Sequence, residues 1–195
     1  NGTRDQSNDR FWDIGYAFHS QWPDVDDDGF LVSLAVHLQE TLGLDPERTF
    51  VTGFSNGAEM CFQLACRESA TFKGFAPIIG MMLDSLFLSC DPEFDRPILT
   101  MNGTADNVTY FNGDMNNQGG WGAYRSIPEM VQFWVDELET PSLDRVFLED
   151  TNTNDGSTVR LDVYTSREHD RELWYYQVNG GGHDWPGQWG NMDID

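Results

Sequence analysis

The chain has 195 residues, 39% of them hydrophobic and 13% aromatic, enough to bury the core of one domain. Its 33 acidic and 11 basic residues leave a formal charge of −22, which excludes nucleic acid and anionic membrane as expected partners because phosphates would be repelled. No stretch approaches the roughly 18 consecutive apolar residues of a membrane span, so no transmembrane helix is expected.

The acidic residues are spread along the chain, and Lys73 is the only lysine. This describes a solvated acidic surface suited to salty water, where screening relieves self-repulsion. The chain begins at Asn1, so the lack of a leader sequence says nothing about secretion. Three cysteines leave one over. The favoured pairing is Cys66 with Cys90, leaving Cys61 buried; the alternative is three reduced, buried thiols.

Asn1 to Pro23 is polar and aromatic without a sustained period. It reads as an irregular segment pinned to the core by Phe11, Trp12, Tyr16, Phe18 and Trp22, with His19 an ordinary polar or packed histidine. Asp24, Asp26, Asp28 and Gly29 match the opening positions of a calcium loop, but Ala35 stands where the bidentate Glu should be. The better reading is an acidic helix start, capped by Asp26 or Asp27. Phe30, Leu31, Leu34, Ala35, Leu38 and Leu42 then mark one helical face, Gly43 stops the helix, and Leu44-Asp45-Pro46 turns the chain.

Thr49 to Thr52 predicts a strand leading into Gly53-Phe54-Ser55-Asn56-Gly57 and a second helix with Met60, Leu64 and Ala65 on one face. Strand, G-x-S-x-G, helix is the layout of a nucleophile elbow, in which tight packing asks for the glycines. Gly74 to Ile79 reads as a buried parallel strand, Gly80 to Asp95 as a connection with little helical signal, and Ile98 to Asn102 as the next strand. Asn107 to Gly122 is a long Gly/Asn-rich loop carrying Tyr110, Phe111 and Trp121. Ser126-Ile127-Pro128-Glu129 has the form of a capping box and opens a helix to about Leu138, with Met130, Phe133, Trp134 and Leu138 inward. Arg145 to Leu148, Val159 to Thr165 and Leu173 to Val178 are three further strands, and Val159, Leu161 and Val163 predict one buried face. Strands alternating with helices around a parallel core give the α/β class, one domain over residues 1–195.

A serine nucleophile needs a base, and the base needs an orienting acid. His183 is the candidate base, in a glycine-rich loop after a strand, whereas His37 and His169 read as structural or solvated. Asp106 is the candidate acid, past the end of a buried strand; Asp84 is its rival, and Asp184 is too close in sequence to turn back on His183. The order Ser55, Asp106, His183 is that of the α/β-hydrolases, and the backbone N–H of Asn56 is the candidate oxyanion donor. Tyr110, Phe111, Trp121 and Trp185 lie on loops near the acid and base; they suit an aromatic acyl group or polymer chain, or equally cover the core.

GFSNG with LAC downstream, NGTAD after a strand, a loop ending in Trp121 before a helix carrying FWV, and GGGHDWPG together resemble the secreted polyhydroxybutyrate-depolymerase-like esterases, a group that includes feruloyl and acetylxylan esterases. The resemblance runs from about Asp24 to the end. It implies an α/β-hydrolase with a mostly parallel central sheet and helices on both faces, incomplete at both ends. It places Ser55, Asp106 and His183 at triad positions, and Cys66 and Cys90 at positions that look paired. The family's N-terminal strands and the His-Gly loop supplying a second oxyanion donor are missing, and the final GNMDID resembles the start of a closing helix. The expectation is therefore a fragment of a secreted, monomeric serine esterase using no metal or organic cofactor. Its substrate would be a polyhydroxyalkanoate-type polyester or a feruloyl or acetyl ester of plant polysaccharide, with Tyr110, Trp121 and Trp185 as substrate contacts. The alternatives are a serine peptidase of similar fold and a non-catalytic polymer- or carbohydrate-binding relative.

Overall fold

A computed structural model describes residues 3–4, 10–16, 18 and 25–185. The expectations for His19, Trp22 and the closing GNMDID segment fall outside these residues. The segment read as irregular contains a short antiparallel pair, β1 (Thr3–Arg4) and β2 (Arg10–Phe11). Behind it Tyr16 is buried, with Phe11, Trp12 and Phe18 packed on the same core.

Helix α1 (Asp27–Leu42) is opened by Asp26, whose carboxylate accepts the Gly29 N–H at 2.7 Å, and closed by left-handed Gly43 at φ 65°. The other acids of the start are also engaged. Asp27 accepts the Asp13 N–H at 2.7 Å, and Asp28 meets Gln63 and Arg67 at 2.7 and 3.0 Å. The expected inward face of α1 is corrected. Leu31, Val32 and Ala35 pack on the core, whereas Phe30 is 53% and Leu42 64% exposed, and Leu34 and Leu38 are also exposed. The helix is fastened to its neighbours by Asp28 and by Gln39, which donates to Thr49, and it turns only the Leu31–Ala35 side to them.

A 3₁₀ turn, Pro46–Arg48, leads into β3 (Val51–Phe54), two residues later than the composition suggested. Then follow α2 (Asn56–Arg67), β4 (Phe75–Ile78), α3 (Asp84–Ser89), β5 (Ile98–Gly103), α4 (Ile127–Glu137), β6 (Ser142–Phe147), β7 (Thr158–Thr165) and β8 (Glu172–Asn179). The stretch read as lacking helix thus contains the short α3, which carries Asp84 in its first turn. The capping box of α4 is complete: Ser126 accepts the Glu129 N–H, and Glu129 reaches back to the Ser126 N–H.

The main sheet has the order β3-β4-β5-β8-β7-β6, with β3, β4, β5 and β8 parallel and β6 and β7 antiparallel to their neighbours. Pro77 in β4 has no N–H to give, and the β4–β5 register is accordingly interrupted between Phe75 and Ile78. One face of the sheet carries Val51, Phe75, Ile98, Leu173 and Tyr175 into a core with Phe62 and Leu64 of α2 and Trp134 of α4. On the other face Ile78 and Val178 are buried, Ala76, Leu99, Met101 and Tyr176 are half-buried, and Trp174 is exposed.

The expected buried face of β7 is also corrected. Val159, Leu161 and Val163 are only half-buried, and the fully buried residue is Asp162 on the opposite face. Burial pushes the Asp162 carboxyl up, but a two-pronged Arg145 contact at 2.6 and 2.8 Å and Arg160 at 3.1 Å outweigh it and hold the acid ionised. Cys66 at the end of α2 and Cys90 after α3 form a disulfide with Cα atoms 4.9 Å apart, and Cys61 stays free and buried, its thiol pushed up to about 12 by burial.

Candidate active site

The first component is a turn between β3 and α2. Ser55 sits at φ 54° and ψ −121°, a backbone state that L-residues avoid, held by its N–H donating to Ile78 at 3.1 Å and its carbonyl accepting from Ala58 and Glu59. The glycines of the motif have different reasons. A Cβ on Gly53 would lie 2.2 Å from the Gly57 carbonyl oxygen, so Gly53 admits no side chain. A Cβ on Gly57 would meet nothing within 4 Å, so crowding accounts for only the first glycine. As the first residue of α2, Asn56 has a backbone N–H with no acceptor inside the helix.

The second component is the junction of β5 with the loop after β8. Thr104 and Ala105 donate to Val178 and Gly181 at 2.9 Å each, and Gly180 donates to the Thr104 hydroxyl at 2.9 Å. A Cβ on Gly103 would stand 2.2 Å from the Gly181 carbonyl oxygen. This close stitching is the physical content of NGTAD and GGGH: small residues let the two loops touch and set Asp106 beside His183. Asp106 is 7% exposed; its Oδ1 accepts the Val108 and Thr109 N–H groups at 2.8 and 2.7 Å, leaving Oδ2 for the histidine.

His183 Nδ1 lies 2.9 Å from Asp106 Oδ2, and Nε2 lies 2.9 Å from Ser55 Oγ. With its proton on Nδ1, the imidazole donates to Asp106 and accepts the Ser55 hydroxyl. The rival acid is elsewhere: Asp84 accepts Arg125 at 2.8 Å at the start of α3. His169 approaches Glu139 at 3.6 Å near the chain's β7–β8 turn, away from this constellation.

Phe54 packs against both His183 and Trp185, with ring centroids 5.3 and 6.1 Å apart. Trp185 is exposed beside the histidine. Trp121 instead packs on Phe11, Tyr16 and Phe18, and Tyr110 lies against the core with its N–H donated to the Tyr124 hydroxyl at 2.8 Å. A cavity of about 580 Å³ adjoins Ser55, lined by Phe11, Trp12, Phe54, Asn56 and Met60 among others. A cavity of similar volume, about 530 Å³ at the acidic start of α1, holds neither the serine nor the histidine.

Three participants escape sequence reading. Phe54 is one; nothing in the spacing says that the x before the serine stacks on the histidine. The Asn56 side chain is another, clamping the Trp12 backbone with its Oδ1 accepting N–H at 2.6 Å and its Nδ2 donating to C=O at 3.1 Å. The third is Glu59, one turn beyond Ser55 and 4% exposed, which accepts the Tyr16 hydroxyl. Burial first, and the Asp106 charge second, push its carboxyl up to about 8.

No protein-family model matches the chain. Over 173 residues it is 25% identical to the putative esterase NocK of Nocardia uniformis subsp. tsuyamanensis, covering 85% of this chain and 50% of that protein. Over 90 residues it is 32% identical to the probable feruloyl esterase C of Aspergillus clavatus, covering 45% of this chain and 31% of that one. Among solved structures, it matches the acetyl xylan esterase from Aspergillus awamori with a TM-score of 0.55 at 13% identity, covering 80% of this chain and 61% of that one. The fold is that of an α/β-hydrolase. The chain spans about half or less of the length of the curated relatives it matches. In this fold the nucleophile follows a strand on a strained turn, and the acid and histidine come later in the chain. Ser55, Asp106 and His183 stand in that order.

Proposed function

We propose that this chain carries the catalytic core of a serine esterase acting on carboxylic esters. The supporting observation is the hydrogen-bonded series Ser55–His183–Asp106, at 2.9 Å in both links, built on a strained turn at the head of α2. His183 Nε2 takes the Ser55 proton as Oγ attacks the ester carbonyl, and Asp106 steadies the resulting imidazolium. The Asn56 N–H donates to the tetrahedral oxyanion. Collapse expels the alcohol, which receives the proton from His183 and leaves an acyl-Ser55. Water, deprotonated by His183, attacks the acyl carbon; the acid departs and Ser55 recovers its proton.

Feruloyl or acetyl esters are the favoured substrates. Phe54 and the exposed Trp185 flank His183 and offer flat apolar surface to an aromatic acyl group, and two matched proteins are named as feruloyl esterases. The Cys66–Cys90 disulfide fits an oxidising, extracytoplasmic setting. The test is hydrolysis of methyl ferulate, p-nitrophenyl acetate and hydroxyalkanoate oligomers by the protein and its Ser55→Ala variant. We expect turnover of at least one ester and a loss on the order of 10⁶ in kcat on substitution. A variant that keeps a tenth of the activity would overturn the assignment of Ser55.

A further inference from the structure

Glu59 is a charged residue type in a place that does not suit charge. It lies on α2 four positions after Ser55, its own N–H bonded to the Ser55 carbonyl at 3.0 Å. Its residue is 4% exposed, and no Lys, Arg or His among the described residues forms an ion pair with it. What faces it is a phenol and a carboxylate: the Tyr16 hydroxyl donates to Oε2, and the Asp106 charge acts on it from the loop after β5. Ser55, the residue just before the helix, stands one turn before it, and Gln63 one turn after.

The contacts continue from Glu59 to the reaction centre. Tyr16, itself buried, receives a bond from Asn56 Nδ2 at 3.4 Å. The same Asn56 side chain holds both polar groups of the Trp12 backbone. The Tyr16 ring stacks on Phe18 at 4.9 Å and meets Trp121 at 5.9 Å, so one side chain joins α2, the N-terminal segment and the long loop before α4. Asn56 is the residue whose backbone N–H would stabilise the oxyanion.

We propose that Glu59 is a positioning residue of this site: it anchors Tyr16, and Tyr16 with the Asn56 side chain holds residues 11–16 across the first turn of α2, fixing the direction of the Asn56 N–H. The inference rests on the serine-esterase reading. An uncharged carboxyl suits the post, since it accepts from Tyr16 without adding a second anion beside Asp106. The post is pH-limited. Glu59 is uncharged below about 8 and ionises as the pH rises through that value. An unpaired buried anion is relieved by water entry and displacement of the segment that covers it. The oxyanion contact is made in the transition state, so the loss falls on kcat rather than KM.

The experiment measures kcat and KM for p-nitrophenyl acetate from pH 5.5 to 10 on the protein, Glu59→Gln and Tyr16→Phe. Fluorophosphonate labelling of Ser55 is read on the same samples, and the wild-type Glu carboxyl carbons are followed by NMR. Labelled, active wild type should lose kcat above about pH 8, with one carboxyl titrating there. Glu59→Gln keeps the shape and the acceptor but cannot ionise; it should match wild type at pH 7 and lack the alkaline loss. Tyr16→Phe should lower kcat about tenfold, the worth of one buried hydrogen bond, with KM unchanged. A Glu59→Gln profile that falls like wild type, an unchanged kcat in Tyr16→Phe, or every Glu carboxyl titrating near the ordinary 4.5 would each overturn the inference. The NMR arm decides even if the variants do not fold. An unlabelled, inactive wild type would overturn the esterase reading itself, a result distinct from all of these.

Discussion

At the scale of single residues, the two candidate acids separate cleanly. Asp106 gives one oxygen to two backbone N–H groups and the other to His183, while Asp84 is tied to Arg125. Asp106→Asn should therefore cost about 10⁴ in kcat, as loss of a triad acid does by spoiling the histidine tautomer. Asp84→Asn should leave kcat near wild type. Steady-state kinetics on the pair checks this, and equal losses would remove the distinction. That Ser55, Asp106 and His183 meet was legible in the sequence, because few residue types suit the roles of nucleophile, acid and base and these three follow strands in order. Glu59 was not. A glutamate in the first turn of a helix ordinarily favours the positive end of the dipole from solvent, but α2 is buried on every side from Ala58 to Cys66, which a first-turn position does not reveal.

At the scale of elements, the helices and strands that close on themselves were the legible ones. The Ser126–Glu129 pattern became a complete capping box, and the Asp26 cap and Gly43 stop bound α1 as its sequence indicates. Ser126→Ala should destabilise by about 1 kcal/mol, the usual worth of an N-cap. Urea unfolding checks it, and an unchanged midpoint would mean that Glu129 and Pro128 suffice. Periodicity failed where the partner of a face decides its burial. In α1 the longer apolar stripe through Phe30, Leu34, Leu38 and Leu42 is exposed, and the shorter one through Leu31 and Ala35 is packed. In β7 alternation marked the apolar residues, but two arginines make it possible to bury Asp162 on the other side. Helix α3 was missed because six residues are too few to display a helical period.

At the scale of the whole molecule, a chain of charge −22 is assembled around one strongly buried layer between α2, α4 and the sheet. The Cys66–Cys90 link ties the end of α2 to the segment after α3 across a separation of 24 residues, worth roughly 3 kcal/mol of loop-closure entropy in the chain-entropy model. That layer carries the strained Ser55 turn on one side of the β3–β4 pair and brings the loops after β5 and β8 to it. We propose that this arrangement makes Ser55 a nucleophile. The most direct measurement is peptide mass mapping after reaction with a fluorophosphonate, run on the protein and on His183→Ala. A single adduct is expected on the peptide containing Ser55, lost in the His183 variant. An unmodified Ser55 peptide in folded protein, or equal labelling with and without His183, would contradict it.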